Sequence, residues 1–323
     1  MLEPMTIDEN CGFINRQVPE PDYKWEISFN DIQPMRLLLQ MIESVMEKIT
    51  FRLQKVDEKY VLCADGQDGA TQSLVKSRME IATIKIPEEG FAIEDFSFCV
   101  KTKYLGIALE GSSHSSSCVT ISGNENSHDA EIHLQLHDFE ADAHIEKDDL
   151  PTFVDESEPF QLMDLHFDMV IEIDASKLKD LMKKANKFEI ELISITIRME
   201  NSVRKRSKIE FSGKSEHGAF RTSFHQETGH DVDGSLIIRA ISDKGSGESS
   251  SLSRGVLSSN YAVKYKETFS IARLQYFIKC VPTRSIRAHI GKGLPIMFQH
   301  YFTGESNEHN RLQYIVAART YED

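Results

Sequence analysis

Five lysines crowd one short stretch of this chain. From Ala175 to Lys187 the sequence reads ASKLKDLMKKANK, with Lys179, Lys183 and Lys187 every four residues and Lys177 and Lys184 beside them. Side chains four apart stack on one face of a helix. Leu178, Leu181, Met182 and Ala185 recur at i, i+3, i+4 and i+7 and supply the buried face. A row of ammonium groups on a rigid helix can neutralise phosphates and release their counterions. Such contacts grip a nucleic-acid backbone without reading its sequence. No aromatic residue sits in the polar face, so base stacking on it is not indicated. A solvated surface helix carries the same pattern, so one helix alone decides little.

Other chemistry is scarce. No G-x-S-x-G, Walker loop or G-x-G-x-x-G occurs. His225, His230, Asp231 and Asp233 form the one local metal-type cluster, but they surround a Gly229–Gly234 turn and lack EF-hand spacing. They read as solvated turn residues, with no metal and no cofactor expected. Asp148-Asp149 lies in an acidic stretch with no rigid scaffold to fix carboxylates for acid–base work. Cys11, Cys63, Cys99, Cys118 and Cys280 are odd in number, with no C-x-x-C pair, as free thiols of a reducing compartment are. Arg204-Lys205-Arg206 with Lys208 reads both as a nuclear localisation signal and as an exposed turn between strands Ile195–Met199 and Lys208–Ser212. No catalytic residues are expected, and the chain reads as a binding protein, not an enzyme.

The elements that must position these lysines follow from periodicity. Hydrophobic residues at 40% and charged residues at 27% fit an ordinary globular protein. No apolar run approaches the ~20 residues of a bilayer span, and the acidic start Met1-Leu2-Glu3-Pro4 lacks a signal-peptide core. Residues 1–22 read as a flexible extension. Trp25–Phe29 alternates as a strand, Asn30 or Asp31 offers a helix cap, and Pro34 suits a first turn. Leu37, Leu38, Met41, Ile42 and Val45 then fall at helical spacing, and Lys48–Leu53 alternates again.

This unit recurs 144 positions later without gaps. Ile27 falls on Ile171, Phe29 on Ile173, Leu37 on Leu181, Leu38 on Met182 and Met41 on Ala185. Ile49, Phe51 and Leu53 fall on Ile193, Ile195 and Ile197. Each half holds a second short helix: about Lys101–Glu110 after strand Phe96–Val100, and about Ser270–Cys280 after strand Tyr261–Thr268, stopped by Pro282. Further strands are expected at Glu80–Ile86, Cys118–Ser122, Ala130–Leu136, Lys208–Ser212, Ser235–Ala240, Ile286–Ile290, Ile296–Tyr301 and Gln313–Ala318. Four short helices amid many strands give an α+β class. The expected organisation is an extension (1–22), one domain (23–137), an acidic connector (138–168) and a second, similar domain (169–323) with a Ser/Gly-rich flexible loop (242–259).

Charge follows this layout. The net charge of −14 argues against nucleic acid when taken as a total. The four helices, however, hold ten basic residues: Arg36; Lys101 and Lys103; Lys177, Lys179, Lys183, Lys184 and Lys187; Arg273 and Lys279. They hold four acidic ones, Asp31, Glu43, Glu110 and Asp180. The rest of the chain has 27 basic and 47 acidic residues. If the helices line one surface, those ten residues form a basic track on an otherwise negative protein.

The layout resembles the sliding clamps of the proliferating-cell-nuclear-antigen family, eukaryotic and viral. Similar stretches are Trp25–Val45, Tyr60–Asp65, Ile237–Ala240, Tyr261–Lys279, Gly293-Leu294-Pro295-Ile296-Met297-Phe298 and Leu312–Arg319. The resemblance covers roughly residues 24–321 and consists of patterns, not one sharp signature. It implies a DNA-clamp fold of two similar domains, each with two inner helices and outer antiparallel sheets. It implies a homotrimeric ring around duplex DNA, acting as a polymerase processivity factor and docking platform for replication and repair proteins, loaded by a separate ATP-dependent machine. It implies a partner-peptide pocket drawn from Ala64, Pro295, Ile315 and Ala317, with Leu150, Phe153 or Val154 from the connector. The implied location is the nucleus or, for a virus, the intracellular site of viral DNA replication. The long connector, the N-terminal extension and the 242–259 loop depart from the family's common pattern and suggest a divergent, viral or protist, clamp. A checkpoint-clamp subunit, a transcription scaffold and an unrelated α+β enzyme remain the alternatives.

Overall fold

Burial alternates along Trp25-Glu26-Ile27-Ser28-Phe29, which places one face of a strand on the core. This strand is the first element of the computed structural model, which describes residues 23–70, 72–87, 93, 96–110, 117–124, 131–138, 143–153, 165–200, 207–226, 236–240, 261–302 and 309–319. The chain runs β1 (Trp25–Phe29), α1 (Gln33–Ile42), β2 (Lys48–Val56), β3 (Lys59–Gln67), β4 (Ser73–Glu80), β5 (Thr83–Lys85), β6 (Ser97–Lys101), α2 (Thr102–Glu110), β7 (Ser117–Gly123), β8 (Glu131–Asp138) and β9 (Ala143–Pro151). It continues through β10 (Met169–Asp174), α3 (Ala175–Lys187), β11 (Leu192–Glu200), β12 (Ser207–Ser215), β13 (Gly218–Gln226), β14 (Leu236–Ala240), β15 (Tyr261–Ser270), α4 (Ile271–Cys280), β16 (Ser285–Ile290), β17 (Ile296–Tyr301) and β18 (Arg311–Val316).

Local chemistry sets these boundaries. The Asp31 carboxylate accepts the backbone N–H of Gln33 at 2.8 Å, just ahead of Pro34 in the first turn of α1. At α3 the N-cap Asp174 accepts the N–H of Lys177 at 3.1 Å, and Lys184 and Lys187 sit near the negative end of the helix dipole. The β2–β3 hairpin turns through Asp57 and Glu58, both with positive φ (47° and 65°). That left-handed pair matches the twist of the flanking strands.

Every described strand pairing is antiparallel. The strands form a five-stranded sheet (β5-β1-β7-β8-β9), a four-stranded sheet (β13-β12-β11-β15) and a nine-stranded sheet (β14-β10-β16-β17-β18-β4-β3-β2-β6). The last joins both halves of the chain, because β18 pairs with β4 from Arg311↔Arg78 to Val316↔Ser73. One large apolar cluster extends through both halves beneath the helices. All sixteen residues of the 144-position register are buried, from Ile27 and Ile171 to Leu53 and Ile197.

Three expectations are corrected. The acidic stretch around Asp148-Asp149, expected to have no rigid scaffold, holds a strand: residues 143–151 form β9, paired along β8 from Glu131↔Pro151 to Asp138↔Ala143. Asp149 therefore stands on a sheet, with its carboxylate on the His133 ring. The strand expected at Glu80–Ile86 is two strands, β4 ending at Glu80 and β5 beginning at Thr83, split by Ala82, whose N–H bonds Ser28 O at 2.9 Å. Lys101 closes strand β6 and does not belong to α2. Strands β11 and β12 pair as a hairpin, while Arg204, Lys205 and Arg206 lie outside the described residues. So do His230, Asp231, Asp233, Val154, the extension 1–22 and the loop 242–259.

Candidate nucleic-acid interface

The four helices lie side by side in the order α2-α1-α4-α3. Each junction carries a specific contact. Arg36 Nη2 donates to the carbonyl of Leu109, tying α1 to the end of α2 at 3.2 Å. Cys280 Sγ reaches the Gln40 carbonyl at 3.5 Å, joining α4 to α1. Lys179 Nζ donates to the Val281 carbonyl at 3.3 Å, and the Asn186 and Gln275 amides exchange hydrogen bonds at 2.6 and 3.3 Å, joining α3 to α4.

The row buries the apolar stripe of each helix and exposes its other face. On α3 the exposed residues are Ser176, Asp180, Lys183, Lys184, Asn186 and Lys187, with Lys177 and Lys179 half-buried. Lys183 meets Asp180 at 3.3 Å, both about three-quarters exposed, so water screens that pair. On α4 Lys279 is exposed. The N-terminal pair is different. α1 exposes Gln33 and Gln40, and α2 exposes Lys103, Tyr104, Ile107 and Glu110. Tyr104 at 41% and Ile107 at 55% are the exposed large hydrophobics among the described residues.

The ten basic residues read from sequence thus sit in different settings. Lys183, Lys184, Lys187, Lys279 and Lys103 are exposed on the row, and Lys177 and Lys179 are half-buried on it. Arg36 is engaged on a carbonyl. Lys101 lies 3.7 Å from Glu47 and over the rings of Phe153 and Tyr104. Arg273 is turned inward onto Asp68 and Ser73.

A second surface lies on the opposite face of the nine-stranded sheet. Leu74, Met297 and Ile315 are paired neighbours across β4, β18 and β17 and form a small separate cluster, with Phe167 packed on it. Of the residues expected in a partner pocket, Ile315 is here. Pro295 and Ala317 flank the Ile296↔Val316 pair at one end of that ladder. Ala64 and Leu150 belong instead to the main core. Phe153 lies at the edge of the sheet, with its N–H on the Cys99 carbonyl at 2.9 Å and Lys48 and Lys101 over its ring. Leu74, Met297 and Phe167 were not among the expected pocket residues. A signal existed: Leu74-Val75, Met297-Phe298 and Ile315-Val316 are adjacent apolar pairs, and a strand apolar on both faces needs cover on both.

Two of the described thiols are held in their neutral form. Burial pushes the Cys63 thiol up to about 11 and raises that of Cys280, the reverse of what a nucleophile needs. Burial also raises the Tyr314 hydroxyl, to about 12. Among the described residues no three His, Cys, Asp or Glu side chains gather as a metal site requires, and no helix is long and apolar enough to cross a membrane.

Against solved structures, the chain is similar to the crystal structure of proliferating cellular nuclear antigen from Entamoeba histolytica. The identity is 12%, the match covers 92% of this chain and 100% of that one, and the TM-score is 0.66. No protein-family model and no curated protein matches the sequence. The chain therefore has a clamp-like α+β fold of the proliferating-cell-nuclear-antigen type.

Proposed function

We propose that this chain is the subunit of a DNA sliding clamp, a docking and processivity factor and not an enzyme. One observation carries the reading: helices from both halves of the chain form a single row whose exposed face holds Lys103, Lys183, Lys184, Lys187 and Lys279, while the protein as a whole is strongly negative. Those lysines meet the phosphates of duplex DNA without reading bases. In this reading residues 23–137 and 169–323 are two similar domains joined by the connector.

Closure into a homotrimeric ring is supported by the ends of the row. Helix α2 ends it beside the free edge strand β9. Helix α3 ends it beside the turn into β13, the edge strand of its sheet among the described residues, where Ser215 and Gly218 pack on Phe188. Joining β9 of one copy to β13 of the next continues the sheet and the helix row together. The contact is heterologous and closes. Tyr104 and Ile107 then fall at the joint. A closed ring cannot leave duplex DNA sideways, so weak contacts suffice for it to slide. Clients with apolar anchors dock beside the buried Leu74, Met297 and Ile315 cluster, where Pro295 is half-buried and Ala317 exposed, and tethering raises their effective concentration at the template. A separate ATP-dependent loader opens the ring, and the work is done in the nucleus or at a site of viral DNA replication.

Primer extension on a circular template, with loader and cognate polymerase, tests the proposal. Product length should rise when the chain is added. Unchanged length in a system that is otherwise competent refutes the processivity role.

A further inference from the structure

A carboxylate in a protein interior is costly unless it is paired and hydrogen-bonded. Asp68, in the turn from β3 to β4, is 4% exposed. Its Oδ1 accepts the N–H groups of Gln72 at 2.8 Å and Ser73 at 3.0 Å. Its Oδ2 contacts Nη1 of Arg273, on α4 in the other half of the chain. The same nitrogen donates to Ser73 Oγ at 2.9 Å. The carbonyl of Arg273 accepts the Tyr314 hydroxyl at 3.1 Å, and the carbonyl of Gln72 accepts the N–H of Ala317 at 2.9 Å. The β3–β4 turn, helix α4 and the end of β18 thus close one buried polar network.

We propose that Asp68 and Arg273 are positioning residues: their ion pair staples α4 to the N-terminal half and sets how the two helix pairs meet, and Arg273 contacts no phosphate. Three features support this. The guanidinium faces inward, and its side chain is only 18% exposed. One guanidinium nitrogen, Nη1, meets both Asp68 and Ser73, and the guanidinium keeps its charge when taken out of water. Among the described residues α4 packs on α1 through the shared apolar core, and the hydrogen bond seen between them is the weak one of Cys280 Sγ with the Gln40 carbonyl.

The test is a double-mutant cycle in the full chain, with thermal unfolding and the salt dependence of binding to a duplex DNA fragment. Asp68→Asn and Arg273→Gln should each lower Tm by about 5–10 °C, and the double variant should fall no further than the worse single. Additive losses overturn the staple. In the DNA arm, Arg273→Gln should leave the slope of log K against log salt unchanged. A slope reduced by about 0.9 with Tm intact makes Arg273 a phosphate contact and overturns the proposal. If the chain binds the fragment too weakly for a slope, the unfolding cycle alone decides the staple, and the clamp reading is decided separately by loading on circular DNA. If Arg273→Gln does not fold, the cycle is run with Asp68→Asn and Ser73→Ala: coupled losses support the network and additive ones overturn it.

Discussion

Helices α1 and α2 and helices α3 and α4 bury their apolar stripes in the same way and expose opposite chemistry. Leu38 and Met41 sit under α1 as Met182 and Ala185 sit under α3, all within the core. Above that shared packing the C-terminal pair displays Lys183, Lys184, Lys187 and Lys279, while the N-terminal pair displays glutamines, Tyr104, Ile107, one lysine and Glu110. Packing dictates only the inward face of a helix. The outward face is left to the partner, and the proposed function assigns phosphate to one pair and a neighbouring copy to the end of the other.

Four experiments break or sharpen this contrast. The largest effect is expected at the N-terminal pair. Tyr104→Asp with Ile107→Asp should turn the assembled species into a monomer in sedimentation velocity without unfolding it, and an intact oligomer would remove those residues from the joint. Next, replacing Lys183, Lys184 and Lys187 together by Gln should cut the salt slope of DNA binding by up to about 2.7, against at most about 0.9 for Lys103→Gln. Equal losses would erase the difference in charge. Third, Leu37→Ala and Leu181→Ala should each cost about 2–5 kcal/mol in denaturant unfolding, because both are buried at matching positions of the register. A large disparity would break the equivalence of the inward faces.

The smallest effect concerns pH. Burial lowers the histidines His289 and His300, both on strands of the C-terminal half, from their ordinary 6.5. The folded chain keeps them neutral where the unfolded chain takes up protons. Stability should therefore be complete above about pH 6.5 and fall as pH drops below it. Thermal unfolding from pH 7.5 to 5.5 checks the sign, and hydrogen exchange should locate the loss in β16 and β17.

Much of this was legible in the sequence. The span Ala175–Lys187 was readable to the residue, because Asp174 caps it and its stripe is unbroken. The shared register was readable because every paired position is buried. Strand β9 was hidden, since its acidic, proline-ended sequence lacks the alternation that marks a strand, and its place comes from pairing with β8. Basic residues were countable, but their partners were not. Nothing local to Arg273 announces its contact with Asp68, which lies in the other half of the chain. Of the small buried cluster on the far face of the sheet, Ile315 stood among the residues put forward from sequence, while Leu74 and Phe167 come to it through tertiary contacts.

The clamp reading is tested most directly by asking whether attachment to DNA is topological. Once loaded on a nicked circular plasmid, the protein should stay through gel filtration at moderate salt and be lost when one restriction cut linearises the DNA. Equal retention on circular and linear DNA, or none on either with a competent loader, would contradict the account.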